Sequence, residues 1–410
     1  MGIMRRAVRR IPIAVMVTAL LSAFLACSSD EPSRHATYPP SPTLASTNSS
    51  TPPTSSQHRD SSPHVFVVVL ENTTFDDAFG PNATSAYLSR ELPAMGMLLT
   101  QYYGVAHPSL PNYIAQISGQ APNPVTQTNC ATYTDFARTG TGEYEQALGA
   151  GCVYPADVPT IASQLEQAGL TWRAYAQDMA ARPNDAPTAC RRPIIGGADD
   201  DQGARRGDAY VTRHVPFLYF HHVIDSPDCA QRVVDLGLLA NDLATLSATP
   251  NLTYIVPNLC DSAHDAQCPG GVVGGLAAAD TFLRDVVPMI MASPAFQANG
   301  LLVITFDEAA PAEDSSSCCG ELQGPNLLQP AGRNGPGGGR TGAVLIGPSI
   351  AAGQLNDQPY NHYSLLRSLE DLWGFEHLGY AAHPSTPCFG DDVYTRTDTD
   401  PRTDTDTGDA

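Results

Sequence analysis

The stretch His-Val-Phe-Val-Val-Val-Leu-Glu-Asn, residues 64–72, predicts a buried β-strand that ends directly at two polar residues. A continuous run of mostly β-branched residues is typical of a strand covered on both faces of a parallel sheet. Three further apolar runs, at residues 253–257, 301–306 and 343–347, have the same character. The sequence therefore predicts a buried, mainly parallel sheet.

Helical patterns separate these runs, at residues 109–118, 277–292 and 363–374. In the last of them the leucines recur at the spacing that places them on one helix face. Strands alternating with helices predict an α/β fold, with helices on both faces of a mainly parallel sheet. Because ligands bind at the carboxyl ends of strands in such sheets, the polar residues after each apolar run are the candidates for a site.

The two ends of the chain differ from this middle part. Residues 1–26 combine four arginines with an apolar run and predict a signal peptide, whose end at Cys27 resembles a bacterial lipobox with Phe24 in place of leucine. Residues 27–63 are rich in Ser, Thr and Pro and predict a flexible tether, and residues 391–410 predict a disordered acidic tail. We expect an exported protein with its folded domain at residues 64–390, anchored to the membrane by a lipid on Cys27 or, alternatively, simply secreted.

The charge balance limits the partners of the protein. The 410 residues include 42 Asp and Glu against 22 basic residues, and all of the basic residues are Arg. A formal net charge of −20 without a basic block outside the N-terminus argues against a nucleic acid as the main partner. A small phosphate ester or a phospholipid remains compatible with local arginines and a metal ion. The sequence does not define the oligomeric state.

Ten cysteines in an exported chain favour disulfides over metal thiolates. Spacing alone does not fix their connectivity. Three local pairs are candidates: Cys130 with Cys152, Cys190 with Cys229, and Cys260 with Cys268.

Two pairs of residues with side-chain oxygens follow predicted strands directly. We call them the acidic pairs because three of the four residues are acids. Glu71 and Asn72 come after the first run, and Asp307 and Glu308 come after the run at residues 301–306. Either pair alone is equally compatible with a helix cap or a loop. Together they offer the oxygen ligands that a divalent cation requires.

A serine begins the predicted helix at residues 109–118, within the stretch His-Pro-Ser-Leu-Pro-Asn-Tyr, residues 107–113. Ser109 can simply cap this helix. The same place, beside free backbone N–H groups, is also where an anionic phosphate binds. A serine hydroxyl needs a neighbouring cation or base to become a nucleophile, and the two acidic pairs can hold such a cation.

The loop after the run at residues 253–257 contains Asp261, His264 and Asp265. A single histidine is more often a structural hydrogen-bonding residue than a ligand, but one flanked by acids after a strand is a better candidate. His362, at the start of the last amphipathic helix, is a candidate for the same reason.

These residues stand in ordered blocks that resemble the bacterial phosphoesterase family of acid phosphatases and phospholipases C, within the alkaline phosphatase superfamily. The resemblance is strongest to the SapM-type secreted acid phosphatases. The blocks cover residues 64–80, 103–119, 213–220, 257–265, 301–308, 337–348 and 362–374. The resemblance implies an alkaline-phosphatase-like fold and hydrolysis of phosphate esters at a metal site.

Specific roles follow from this resemblance. Ser109 matches the nucleophile, and Asn112 matches a residue that steadies a phosphoryl oxygen. His264 and His362 match histidines that bind a second metal or contact the phosphate, and His214 matches a histidine near the pocket. The metal ligands implied are Glu71, Asn72, Asp307 and Glu308. Ser262 stands where the family usually has Asp, with Asp261 one place earlier as a substitute ligand.

The resulting hypothesis is a metal-dependent acid phosphatase that works through a phosphoserine. Oxygen ligands favour Mg²⁺, Ca²⁺ or Mn²⁺, whereas histidine ligands would favour Zn²⁺ or Fe. One alternative is a phosphodiesterase of the phospholipase C type with the same catalytic residues. Another, of a different class, is a non-catalytic envelope lipoprotein. A carboxylic ester hydrolase is disfavoured because no G-x-S-x-G motif surrounds Ser109.

Overall fold

The computed structural model describes residues 62–182, 187–310 and 313–395. Its centre is an eight-stranded sheet with the order β13-β2-β12-β11-β1-β8-β6-β7. Five adjacent strands, β11, β1, β8, β6 and β7, run parallel, while β12 is antiparallel to both β11 and β2. The fold class predicted from the sequence is therefore confirmed.

The strands of the central sheet are β1 (His64–Leu70), β2 (Met97–Leu99), β6 (Trp172–Ala176), β7 (Val233–Asp235), β8 (Leu252–Val256), β11 (Gly300–Phe306), β12 (Ala343–Ile346) and β13 (Gln354–Asn356). Three two-stranded ribbons accompany it. They pair β3 (Tyr102–Tyr103) with β14 (Tyr360–Asn361), β4 (Ala137–Thr141) with β5 (Ala147–Ala150), and β9 (Gln267–Cys268) with β10 (Val272–Val273).

The α-helices are α1 (Phe75–Phe79), α2 (Leu92–Met95), α3 (Leu110–Ser118), α4 (Ile161–Gln167), α5 (His221–Ile224), α6 (Cys229–Arg232), α7 (Leu239–Asp242), α8 (Gly275–Met291), α9 (Pro294–Asn299) and α10 (His362–Trp373). A π-helical turn covers Tyr87–Glu91. Single 3₁₀ turns cover Thr126–Thr128, Glu143–Glu145, Thr212–His214, Pro216–Tyr219, Leu236–Leu238 and Gly379–Ala382.

Both faces of the sheet are covered by helices, as alternate residues of β1 demonstrate. Val65, Val67 and Val69 point to a core that contains apolar residues of α3 and α10. Phe66 and Val68 point to the opposite core, which contains apolar residues of α8 and α9. Because neither face meets water, every residue of β1 is apolar or buried, and this explains the uninterrupted run in the sequence.

The predicted elements agree with the observed ones to within one or two residues. All four predicted strands belong to the central sheet, and the three predicted helices correspond to α3, α8 and α10. The three predicted disulfides are confirmed, and a fourth joins the adjacent Cys318 and Cys319.

The predicted limits of the domain are tested only in part. Residues 391–395 lie in the predicted tail, yet Val393 is buried and Tyr394 pairs with Ile350, so the domain continues past residue 390. The predicted signal peptide, Cys27 and nearly all of the tether lie outside the described residues, as does the remainder of the tail. Within the described ranges, none of the helices has the length and apolarity needed to cross a membrane.

Candidate active site

Two neighbouring parallel strands bring the two acidic pairs together. In the register between β1 and β11, Leu70 lies opposite Phe306, so both strands end at the same level. The backbone N–H of Asp307 donates to the carbonyl of Leu70 at 2.9 Å. Glu71 and Asp307 are therefore adjacent at the carboxyl edge of the sheet, although 236 positions separate them in the sequence.

The hydroxyl of Ser109 points towards these acids. Ser109 occupies the N-cap position of α3, but its side chain makes no capping hydrogen bond. Its Oγ donates instead to Glu71 Oε2 at 3.1 Å. The carboxylates of Asp307 and Glu308 lie close enough to interact with the same hydroxyl. The capping interpretation is thus excluded for the side chain of Ser109, which is buried among three carboxylates.

Glu71, Asp307 and Glu308 form what we call the carboxylate cluster. Each is at most 1% exposed. Burial raises the pKa of both Asp307 and Glu308 well above the ordinary value, and repulsion from the neighbouring carboxylates raises it further. Burial also acts to raise the pKa of Glu71, but the neighbouring His214 overcomes this effect and lowers the pKa to about 2.

His107 is a fourth member of this environment, which the sequence interpretation missed. Its Nδ1 contacts Glu308 Oε2, and its Nε2 donates to the carbonyl of Asp314 at 2.9 Å. The contact between His107 and Glu308 is buried on both sides. His107 immediately precedes Pro108 and Ser109, so one short segment carries both the hydroxyl and a partner of the cluster.

The cluster has features that suit a divalent cation. Asp307 Oδ2 and Asn72 Oδ1 are buried oxygen atoms without a hydrogen-bond partner. Such oxygens beside mutually repelling carboxylates are the donor set of a hard cation. No three His, Cys, Asp or Glu side chains between residues 62 and 395, leaving out residues 183–186 and 311–312, already stand in a metal-binding arrangement. The residues fit a cation, but their side chains are not arranged as a finished coordination shell.

The side-chain amide of Asn112 is bound to the backbone just before Ser109. Its Oδ1 accepts from the backbone N–H groups of Val105 and Ala106 at 2.8 and 3.0 Å, and its Nδ2 donates to the carbonyl of Ala106 at 2.8 Å. The amide is therefore occupied with the segment that leads to Ser109. Asn112 thus braces the backbone before Ser109, and its contact with a phosphoryl oxygen stays a prediction.

His362 contacts protein groups through both ring nitrogens, and its role as a metal ligand or phosphate contact stays a prediction. Its Nε2 lies 2.5 Å from the carbonyl oxygen of Asp307, which only accepts, so Nε2 carries the hydrogen. Its Nδ1 then accepts from the hydroxyl of Tyr102 at 3.1 Å. Burial lowers the pKa of His362 to about 4. A neutral imidazole with both nitrogens engaged positions Asp307 through its backbone.

Arg213, His214 and His264 form a second group, which we call the histidine–arginine face. His214 Nε2 lies 2.9 Å from Glu71 Oε1, which is an ion-pair distance, although the angle does not suit a hydrogen bond. Burial lowers the pKa of His214 to about 4, partly offset by Glu71. The rings of His214 and His264 are 5.9 Å apart, so this face adjoins the carboxylate cluster.

The hydrogen bonds of His264 define its tautomer. Arg213 donates to its Nε2 at 3.2 Å, and because guanidinium nitrogens only donate, Nε2 carries the lone pair. Its Nδ1 therefore donates to Asp265 Oδ1 at 2.7 Å. With a side chain that is 26% exposed, His264 is the predicted site histidine most open to solvent.

Asp261 is not brought into the site by its side chain. Its Oδ2 accepts from Gln177 Nε2 at 2.6 Å. Instead, the backbone of the neighbouring Ser262 meets the site, since its carbonyl accepts from the N–H of Glu71 at 2.8 Å. The prediction that Asp261 replaces the missing family Asp as a ligand is not supported by its contacts.

Tyr113 is a further residue that the sequence interpretation missed. Its hydroxyl donates to Glu71 Oε1 at 2.6 Å, and its ring stacks on His214 with centroids 5.1 Å apart. One signal was available, because Tyr113 lies four residues after Ser109 and so on the same face of the predicted helix.

An open pocket of about 390 Å³ adjoins the site at Asn72. Its lining is mixed, with amide, hydroxyl, carboxylate and apolar groups from Asn72, Thr73, Asp76, Asp77, Asn82, Thr84, Ala263, Leu276, Ala310 and Glu313. Asn72 is the residue that this pocket shares with the site, and neither Ser109 nor the carboxylate cluster is part of its lining.

Together these features define an α/β protein with a buried serine–carboxylate site at the carboxyl edge of a parallel sheet. The chain belongs to the Phosphoesterase family, whose model matches residues 82–376. This range contains Ser109, Asp307 and Glu308, whereas Glu71 and Asn72 precede it.

Two relatives illustrate the range of the family. The chain is 26% identical to a phosphate-repressible acid phosphatase of Penicillium chrysogenum over 313 residues, which are 76% of this chain and 58% of the relative. It is 25% identical to a phosphatidylinositol-3-phosphatase of Mycobacterium tuberculosis over 330 residues, 80% of this chain and 83% of the relative. The chain thus spans less than two thirds of the length of the fungal enzyme.

Two solved structures illustrate a distant similarity to this chain. A protein of the alkaline phosphatase superfamily from Vibrio parahaemolyticus is 15% identical, with 79% of this chain and 68% of that chain covered and a TM-score of 0.43. Murine ectonucleotide pyrophosphatase/phosphodiesterase 5 is 11% identical, with coverage of 81% and 100% and a TM-score of 0.44.

Proposed function

We propose that the protein is an exported, metal-dependent acid phosphatase that hydrolyses phosphate monoesters with Ser109 as nucleophile. The observation that carries this proposal is the direction of the Ser109 hydroxyl, which donates to Glu71 and leaves the N-terminus of α3 without a side-chain cap. The family and its acid phosphatase relatives support the same reaction class.

The chemistry proceeds in two displacements. Ser109 Oγ forms a bond to phosphorus while the bond to the ester oxygen breaks, and that oxygen leaves as an alcohol after it gains a proton. Water then attacks the phosphoserine, which releases inorganic phosphate and restores the hydroxyl of Ser109. Each step needs one proton to be moved and negative charge on the phosphoryl oxygens to be stabilised.

We assign proton transfer to His264. Its greater exposure and the lone pair on Nε2 suit this role, whereas His214 and His362 are fully buried. Arg213, which now donates to that nitrogen, is a phosphate-binding group by its chemistry. A phosphate bound by Arg213 would free Nε2 of His264 to accept or give a proton.

The residues that would hold a cation are Glu71, Asn72, Asp307 and Glu308. A hard divalent ion such as Mg²⁺, Ca²⁺ or Mn²⁺ would supply positive charge that acidifies the serine hydroxyl and stabilises phosphoryl oxygens. Zn²⁺ stays an alternative, because histidine nitrogens favour it and His214 lies 2.9 Å from Glu71 without hydrogen-bonding through either ring nitrogen in the described part of the chain. The neutral His362 and the amide of Asn112 maintain the positions of Asp307 and the Ser109 segment, respectively.

Replacement of Ser109 tests the proposal. Ser109→Ala should lower kcat for p-nitrophenyl phosphate by about 10⁴-fold or more. Ser118→Ala is a matched control on the same helix, since Ser118 is also buried but bonds only to local backbone. Equal activity of Ser109→Ala and the wild type would contradict the proposal. Dialysis against a chelator, with metal analysis, tests the cation in the same assay, and full activity of metal-free protein would exclude it.

A phosphodiesterase of the phospholipase C type is the second candidate, favoured by the open pocket beside Asn72, which has room for a second ester group. Comparison of p-nitrophenyl phosphate, its bis ester and phosphatidylcholine separates the two activities. The relative from Mycobacterium tuberculosis, named a phosphatidylinositol-3-phosphatase, makes a phosphorylated lipid a further substrate to include. The intact serine and acidic pairs argue against a non-catalytic envelope lipoprotein.

The anchor and location are part of the proposal. A lipid on Cys27 would hold the enzyme at the cell envelope, with secretion as the alternative. Metabolic labelling with a fatty acid analogue, compared between the wild type and Cys27→Ala, distinguishes the two. Since the sequence is acidic and has no basic block outside the N-terminus, we propose small phosphate esters or phospholipids, not nucleic acids, as substrates.

A further inference from the structure

The two oxygens of Glu71 have different surroundings. Oε1 receives the hydroxyl of Tyr113 at 2.6 Å and lies 2.9 Å from His214 Nε2. Oε2 receives the hydroxyl of Ser109 at 3.1 Å and the amide of Asn72 at 3.2 Å. One oxygen is thus held by groups that have no part in the proposed reaction, and the other faces the nucleophile.

Tyr113 and Ser109 both belong to the start of one helix. Ser109 and Tyr113 are four residues apart at the start of α3, where the N–H of Tyr113 reaches the carbonyl of Ser109 at 3.5 Å. This spacing places both side chains on one face of the helix, one turn apart. Glu71, directly after β1, accepts from both hydroxyls. Its carboxylate therefore has a fixed distance and rotation relative to Ser109.

The ring of Tyr113 is itself held in place. It is fully buried, and it stacks on the imidazole of His214 at an interplanar angle of 14°. Its hydroxyl lies 2.6 Å from Glu71 Oε1, and because a carboxylate oxygen only accepts, the hydroxyl is the donor. A stacked, protonated tyrosine is a rigid donor with few alternative positions.

We propose that Tyr113 is a positioning residue, which holds Glu71 through Oε1 so that Oε2 orients the hydroxyl of Ser109 for attack. The inference rests on the proposed phosphatase function. Tyr113 touches Glu71 and His214 but not the reacting atoms, so its loss should impair the chemical step and leave substrate binding intact. A misplacement of about 1 Å in a catalytic group can cost about 10²-fold in rate.

Tyr113→Phe is the direct test, because it removes the hydroxyl and keeps the stacked ring. Tyr219→Phe is the matched control, since Tyr219 is equally buried but its hydroxyl has no hydrogen-bond partner. For both variants and the wild type, the measurements are kcat, KM, the inhibition constant of inorganic phosphate and the thermal unfolding midpoint. We expect kcat of Tyr113→Phe to fall by about 10- to 100-fold, with KM and the phosphate inhibition constant within about twofold of the wild type.

Three results would overturn the positioning role. The first is a kcat within about twofold of the wild type. The second is a rise in KM and in the phosphate inhibition constant that accounts for the lost activity, because Tyr113 would then act on substrate binding. The third is a Tyr113→Phe protein that fails to fold while Tyr219→Phe folds, because the hydroxyl would then be needed by the core. Absence of phosphatase activity in the wild type would instead overturn the proposed function itself.

Discussion

The carboxylate cluster and the histidine–arginine face adjoin each other but are built in different ways. The cluster stands at the ends of β1 and β11, whose parallel register places Glu71 beside Asp307. The histidine–arginine face comes from a 3₁₀ turn at Thr212–His214 and from the loop after β8. One region is fully buried, and the other includes the partly exposed His264. A rigid sheet edge suits the groups that must stay fixed, whereas a loop suits a group that exchanges protons with solvent.

Asp307→Asn is the change with the largest expected effect on this comparison. It removes the charge of a carboxylate that the proposal uses, so kcat should fall by about 10³-fold. The same change should raise the thermal stability of the metal-free protein, because it relieves repulsion between buried acids that raises the pKa of Asp307. Enzyme assays and thermal unfolding of metal-free protein measure the two effects.

Asp261→Asn serves as the control for that experiment. Asp261 is also an acid at a strand end, but its carboxylate accepts from Gln177 and not from the cluster. Its replacement should keep most of the activity. If Asp261→Asn were as inactive as Asp307→Asn, the described boundary of the carboxylate cluster would be wrong.

Sequence predicted the cluster better than the histidine–arginine face for a physical reason. Continuous apolar runs define buried strands, and ligands bind at the carboxyl ends of such strands, so Glu71 and Asp307 were predicted as ligands of one cation without a structure. The side-chain partners of Asn112, Asp261 and His362 depend on rotamers and on backbone carbonyls from distant segments. No local pattern encodes those contacts, and so the partners of these three side chains could not be predicted from the sequence.

The residues that the sequence interpretation missed were missed for a similar reason. His107 and Tyr113 flank Ser109 within one short segment, and both face the cluster, but each reads in the sequence as an ordinary helix-start residue. The adjacent disulfide between Cys318 and Cys319 was also unforeseen, since proximity in sequence seldom predicts pairing of neighbouring cysteines. The hydrophobic pattern was enough to predict the fold, whereas these contacts are visible only in the tertiary structure.

His264→Asn should have the next largest effect. Loss of a proton-transfer group costs about 10²-fold in kcat, which is less than loss of a charged member of the cluster. The pH profile of kcat should also change in shape, because the group that exchanges protons is gone. His222→Asn is the matched control, since His222 has a similar exposure and lies beside Glu166, away from the site. A larger loss of kcat for His264→Asn than for Asp307→Asn would contradict the expected order of the two effects.

Glu370→Gln should have the smallest effect of these changes. Glu370 is a buried acid outside both the carboxylate cluster and the histidine–arginine face. Glu370 accepts from the N–H of Leu378 at 3.0 Å, while its other oxygen lies near the amide of Gln164 without hydrogen-bond geometry. Burial raises the pKa of Glu370 well above its ordinary value. The folded protein therefore binds this proton more tightly than the unfolded chain, and stability falls as the pH rises above the ordinary glutamate value.

The amide in Glu370→Gln retains the acceptor and removes the titration. We expect a gain of about 1 kcal/mol in the free energy of unfolding at neutral pH and no change in kcat. The gain should disappear at a pH below the ordinary glutamate value, where the wild-type side chain is protonated in both states. Unfolding measured across this pH range gives the result, and a constant gain at every pH would contradict the assignment.

The central claim is that Ser109 becomes phosphorylated during turnover, and acid quenching tests it most directly. The enzyme is mixed with p-nitrophenyl phosphate, quenched in acid within the first turnovers, digested and analysed by mass spectrometry. We expect the peptide with residues 107–113 to gain the mass of one phosphoryl group at Ser109. The same peptide of Ser109→Ala should show no such gain. A phosphoryl group found on another residue, or full turnover by Ser109→Ala, would contradict it.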